Sequence, residues 1–146
     1  MNNLNIIRFL CYSGLIPFFS LSILNFYFKN LVIVDIFSIY SLVILSFLCG
    51  STWIYLILIE TKINIKPYLF FIILSPVFLI LCELFLRIEI KFFIYAIFYF
   101  LIQQIDNKFL RNNDYLKIRK NLTMLVMISH IIMLIGIYSD SLRNII

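Results

Sequence analysis

The side chains able to do chemistry are few and scattered. His130 is the single histidine of the chain, at the middle of a charge-free run from Asn121 to Ser139. Thr123 lies seven residues before it, on the same face if the run is helical. Glu83 sits near the end of another apolar run, four residues before Arg87, the favourable order for a helical ion pair. Asp106 and Arg119 bracket the most basic stretch, which also holds Lys108, Arg111, Asp114, Lys117 and Lys120. Cys11, Cys49 and Cys82 show no metal-ligand spacing. An intramembrane histidine or carboxylate is a natural proton carrier or ion ligand, because such a group is costly to keep there without a role. The plain alternatives are a packed His130, a Glu83–Arg87 pair at the membrane boundary, and cysteines that act as small apolar filler. A lone histidine cannot build a multi-histidine metal site. No phosphate-binding glycine loop, zinc-protease helix motif or nucleophile elbow occurs. No cofactor, metal or enzymatic activity is therefore expected.

The elements that must position these residues are membrane helices. Of 146 residues 64% are hydrophobic and 13% charged, against about 45–50% and 25% in soluble domains. The run Ile36–Ile59 has 24 residues without a charge, and about 20 suffice to cross a hydrocarbon core of roughly 30 Å. The net charge of +5 sits between apolar runs, which points to topology-setting loops rather than nucleic acid. The sequence predicts an all-α integral membrane bundle in one domain, with five transmembrane helices at about 9–28, 36–59, 67–86, 88–105 and 121–139. Arg8 before the first run suggests a signal peptide, but the run is too long and lacks a small-residue cleavage site, so a retained helix is expected. The fourth helix is the weakest, interrupted by Gln103 and Gln104. Without it the chain would have four spans.

With five helices, Arg8, Lys62, Lys66, Lys108, Arg111, Lys117, Arg119 and Lys120 fall on the N-terminal side. Lys29, Arg87, Lys91 and Arg143 fall on the other. The positive-inside tendency then predicts the N-terminus in and the C-terminus out. Asp106 and Arg119 are expected to form an ion pair closing the last hairpin. Ser46, Gly50 and Trp53 share one helical face, a small-xxx-small pattern that lets helices approach closely, with the Trp53 indole near the headgroups. Ser13, Pro17 and Ser20 share a face of the first helix, where Pro17 removes one backbone hydrogen bond and predicts a kink turned toward the bundle, the alternative being a broken helix that lines a site, as in many transporters. Close contact is expected among the first, second and fifth helices.

Several blocks resemble an uncharacterised bacterial membrane-protein family related to mitochondrial transmembrane protein 69. They are Gly14-Leu15-Ile16-Pro17-Phe18, then Tyr40-Ser41 with Ile44-Leu45-Ser46-Phe47-Leu48, Gly50 and Trp53, then Asp106, Tyr115-Leu116, Arg119 and Leu122-Thr123. The family usually has a second glycine, a histidine before the tryptophan and a glycine after it, where this chain has Cys49, Thr52 and Ile54. The resemblance implies a multi-helix inner-membrane protein of unknown function, bacterial or, alternatively, mitochondrial. Of three function classes that remain, a membrane-embedded enzyme has no support in the sequence, which leaves two. One is a non-catalytic protein that packs against membrane partners or a second copy. The other is a small-solute or ion transporter in which Glu83 and His130 converge on a polar pathway.

Overall fold

Inside a bilayer each backbone N–H and C=O must find a partner within its own segment, and the apolar runs do so as helices. The computed structural model describes the backbone of residues 3–58 and 64–143, and the side chains of residues 6, 8–58 and 64–138. Six helices follow in order: α1 (Asn3–Ser13), α2 (Ile16–Phe28), α3 (Leu31–Leu58), α4 (Lys66–Phe85), α5 (Ile88–Phe109) and α6 (Asn113–Arg143). Five spans among the described residues are long and apolar enough to cross a membrane; the first, Arg8–Phe28, runs through the break between α1 and α2. Lys62 and the Ile59 end of the second predicted helix lie outside the described residues.

The single helix expected at 9–28 is in fact two. The chain breaks at Gly14–Leu15, where Leu15 N–H turns back to the carbonyl of Tyr12 at 3.0 Å. Pro17 then occupies the first turn of α2, a place where its missing N–H is harmless. Tyr40 of α3 donates its hydroxyl to the Gly14 carbonyl at 2.8 Å, so a neighbouring helix satisfies the broken backbone. Phe18, one turn further on, is fully buried.

Several helix ends differ from expectation because polar residues cap helices or continue them rather than stop them. Asn30 Oδ1 accepts the N–H of Val32 at 2.9 Å, so α3 starts at Leu31 rather than 36. Asn112 Oδ1 accepts the N–H groups of Asp114 and Tyr115 at 3.1 and 3.2 Å, so α6 starts at Asn113 rather than 121. The supposed basic loop is thereby reduced to Leu110–Asn112, and Lys117, Arg119 and Lys120 stand on the first turns of α6. α5 runs on to Phe109 rather than 105.

α3 is the central element and packs against α2, α4 and α5; α6 packs against α2 and α5, and α1 leans on α6. The helices α2, α3, α5 and α6 thus close a ring, with α4 outside it on α3 and α5. The expected contact among the first, second and fifth spans is present: α2 lies against both α3 and α6, and α3 reaches α6 through the side-chain pairs Ser41–His130 and Thr52–Arg119. The buried face of α3 is Val34, Phe37, Ser38, Ser41, Leu45, Cys49, Thr52 and Leu56, a stripe at helical spacing. Its opposite side, including Phe47, Ile54 and Leu58, faces outward, as do Phe70, Leu84 and Phe85 of α4. Apolar side chains on the outside are what a bilayer accommodates.

Candidate functional site

The interior of the ring is a polar seam. α5 lines it with Lys91, Tyr95, Tyr99, Gln103 and Asp106, all buried and spaced by three or four residues. At about 1.5 Å per residue these positions extend roughly 22 Å, most of a hydrocarbon core of about 30 Å. α3 answers with Ser38, Ser41 and Thr52, and α6 with His130, Thr123 and Arg119.

At one end Glu83 of α4 gathers three donors. Lys91 Nζ lies 3.1 Å from its Oε1, Ser38 Oγ donates to Oε2 at 2.7 Å, and Tyr95 Oη donates to the same oxygen. The expected partner Arg87 does not take part. It caps the start of α5 in extended conformation, past the end of the helix that carries Glu83, so the helical i,i+4 geometry is lost. Lys91, one turn into α5, reaches back instead. Three helices converge on this one carboxylate.

In the middle His130 is fully enclosed. Its Nδ1 lies 2.9 Å from the Val126 carbonyl and its Nε2 lies 2.9 Å from Ser41 Oγ. A carbonyl only accepts, so Nδ1 carries the proton, and in the neutral ring Nε2 accepts from the serine. Tyr99 Oη completes the group by donating to the Ser41 carbonyl at 3.2 Å. Phe18, Phe37, Phe92 and Tyr99 surround the imidazole with ring centroids at 4.9 to 5.9 Å. Thr123, although on the same helix face, bonds Gln103 Oε1 at 3.2 Å rather than the histidine.

At the other end Arg119 Nε lies 3.0 Å from Asp106 Oδ2, with side chains only 4% and 2% exposed. Thr52 bridges the pair, donating to Asp106 Oδ1 at 3.0 Å while accepting from Arg119 Nη2 at 3.2 Å. α3, α5 and α6 meet there. Among the described residues no buried polar side-chain atom is left without a partner, and no cluster of three histidines, cysteines or carboxylates stands ready for a metal.

The helix-packing candidates lie elsewhere. Gly50 is not at a close approach within the chain: a Cβ placed there would meet nothing within 4 Å. It lines a groove of about 370 Å³ with Ser46, Trp53, Ile72 and Pro76, and Ser46 Oγ bonds the carbonyl of Leu42 on its own helix. The tight glycine is Gly136 on α6, whose Cβ would fall 2.9 Å from Asn25 Nδ2 of α2. Gly14 is tight at the chain break, 3.3 Å from the Cys11 carbonyl. A cavity of about 140 Å³ beside that break is bounded by Cys11, Phe18, Tyr99, Arg119 and Thr123. Cys49 and Cys82 are buried and all three thiols are free.

Sequence reasoning singled out Glu83, Thr123, His130, Asp106 and Arg119 but missed Ser38, Ser41, Thr52, Lys91, Tyr95, Tyr99 and Gln103. The signal was present in the α5 sequence: polar or hydroxyl-bearing residues at 91, 95, 99, 103 and 106 mark one helix face. Those same residues lowered the apparent hydrophobicity of the span. No curated protein and no solved structure matches this chain. The family model "Protein of unknown function (DUF3429)" matches residues 5–135, and the chain belongs to that family.

Proposed function

We propose that this protein is a non-catalytic multi-pass membrane protein that acts by packing laterally against membrane partners, either another protein or a second copy of itself. The observation that carries this reading is the bonded interior. Each buried polar side-chain atom of the described residues has a partner inside the bundle, while large apolar side chains point outward along α3 and α4. A polar core of this kind orders the helices, because interhelical hydrogen bonds and close van der Waals packing hold membrane bundles together. The reading assigns no cofactor, metal or nucleic acid. The basic residues Lys66, Lys108, Lys117 and Lys120 gather where α4 begins, α5 ends and α6 begins. On that basis the N-terminus lies in the cytoplasm and the C-terminus outside, in a bacterial inner membrane, with the mitochondrial inner membrane as the alternative. The motif blocks from Gly14 to Thr123 support kinship with mitochondrial transmembrane protein 69.

Purification of the tagged protein from its own membranes in mild detergent, with mass spectrometry of what accompanies it, tests the reading. A stoichiometric companion or a stable homo-oligomer is expected. A clean monomer would contradict it.

One observation favours transport as the second reading. The Glu83 and His130 clusters adjoin, since Ser38 and Ser41 lie one turn apart on α3 and Tyr95 and Tyr99 one turn apart on α5. On that reading, purified protein in liposomes moves protons or a small solute, and Glu83→Gln and His130→Ala abolish the flux. Equal flux in liposomes with and without the protein rules it out.

A further inference from the structure

α4 and α5 are joined by a tight turn at Leu86–Arg87, yet at the far end of the pair a groove of about 770 Å³ opens between them. That volume lies within the range of about 300–1,000 Å³ usual for ligand sites. Tyr68 and Phe71 form one wall and Leu101 and Ile105 the other, with Gln104 and Lys108 at the mouth. Phe71 stacks on Phe98 at 5.7 Å toward the middle of the span, and Tyr68 meets Phe109 edge-on at 5.0 Å toward the helix ends. The groove is therefore apolar at depth and polar at the headgroup level.

Lys108 is held over the mouth. Its Nζ lies 2.6 Å from Tyr68 Oη and 4.8 Å from the centroid of the same ring. An ammonium has three donors, so Tyr68 leaves two to face the opening. No ion pair engages Lys108 among the described residues, whose pairs use Lys91 and Arg119. The surrounding charge has the same sign: Lys66, Lys117 and Lys120 are exposed at this end of the bundle. Among the described residues Asp114 is the acidic neighbour there, Asp106 being engaged by Arg119. An apolar slot between membrane helices, ending at a fixed ammonium in a basic rim, matches a molecule with a long hydrocarbon chain and a negative head.

We propose that this groove holds one anionic phospholipid, its acyl chain along Phe71, Leu101 and Ile105 and its phosphate at Lys108 and Gln104. The proposal requires only a membrane-spanning bundle and stands apart from the role of the polar seam. The test places the full-length protein in nanodiscs of mixed phosphatidylcholine and phosphatidylglycerol, and counts the lipids retained on gentle extraction by native mass spectrometry. Wild type is expected to keep one phosphatidylglycerol per copy in preference to phosphatidylcholine. Lys108→Gln should lower that preference about fivefold, the effect of roughly one cation at an anionic surface, while Lys117→Gln leaves it unchanged. Leu101→Trp, which fills the slot, should lose the retained lipid.

A second measurement needs no variant. Phosphatidylglycerol carrying a photoactivatable acyl chain should label the peptide that contains Leu101 and Ile105. Equal retention of the two lipids, an unaffected Lys108→Gln, or labelling confined to other helices overturns the proposal. So does displacement of the lipid by inorganic phosphate alone, which would make the mouth a plain anion site. A co-purifying peptide helix cross-linked in the groove would give the slot a different occupant.

Discussion

The buried pair of Asp106 and Arg119 shows how individual side chains decide the stability of this bundle. Removing one partner of a buried ion pair leaves an uncompensated charge and costs about 3–5 kcal/mol, whereas removing both is far milder. Asp106→Ala and Arg119→Ala should each lower the unfolding midpoint and the amount of protein in the membrane, and the double variant should recover most of the loss. Unchanged abundance in the single variants would mean that the pair has no structural part. His130 makes a different demand, because its ring contacts outnumber its hydrogen bonds. His130→Ala should cost about 3 kcal/mol through the cavity it leaves among four aromatic rings. His130→Phe should cost roughly 0.6 kcal/mol, about the mean for an interhelical hydrogen bond in a membrane bundle. Unfolding in mixed micelles compares the two variants, and equal losses would show that the bond to Ser41 matters more than the packing. Thr52, standing where the resembling family usually has histidine, bridges Asp106 and Arg119 in this chain.

Helices were the most legible part of the sequence, and their ends the least. Charge-free runs located all five spans because the bilayer imposes their length. The same criterion trimmed α3 and α6, since it stopped at Asp35 and at Lys120, whereas the helices extend outward to the caps Asn30 and Asn112. The break at Gly14–Leu15 was signalled by Pro17, but its place three residues earlier depends on a bond from Tyr40, a contact between distant parts of the chain. Glu83 was read with Arg87 because spacing along one helix is visible in a sequence, and the reach of Lys91 across a turn is not. Gly50 shows the same limit, whereas Gly14 is tight at the chain break. The Ser46–Gly50 pattern fits close packing, but the tight contact belongs to Gly136 against Asn25. Gly136→Ala should therefore cost about 1–3 kcal/mol by overpacking α2 against α6. Gly50→Ala should be neutral or stabilising by up to about 1 kcal/mol, from helix propensity alone. Thermal unfolding of the two variants checks this. A more damaging Gly50→Ala in native membranes than in detergent would point to a partner helix on that groove.

For the molecule as a whole, two solvents shape the design. Lipid outside tolerates large apolar side chains almost anywhere, so the outer faces carry little information. The interior must bond each polar group it holds, and it does so by tying three helices at each of three levels, through Glu83, His130 and the Asp106–Arg119 pair. The proposed orientation rests on the basic end of the bundle. A reporter fused after Ile146 should be active only when it requires the outside compartment, and activity restricted to the cytoplasm would reverse the proposed topology.

The central claim is that the seam is a closed set of bonds and not a water-filled path. Accessibility at Ser41, which sits at its middle against His130 and Tyr99, tests it most directly. Ser41→Cys is placed in a chain whose three native cysteines are replaced by alanine, with Lys117→Cys in the same background as the exposed control, and each is treated in vesicles with a charged thiol reagent from either side. The control should label, and the cysteine at 41 should stay unmodified from both sides for as long as the bundle is folded. Rapid labelling at 41 from either side would contradict the closed seam and favour the transport reading.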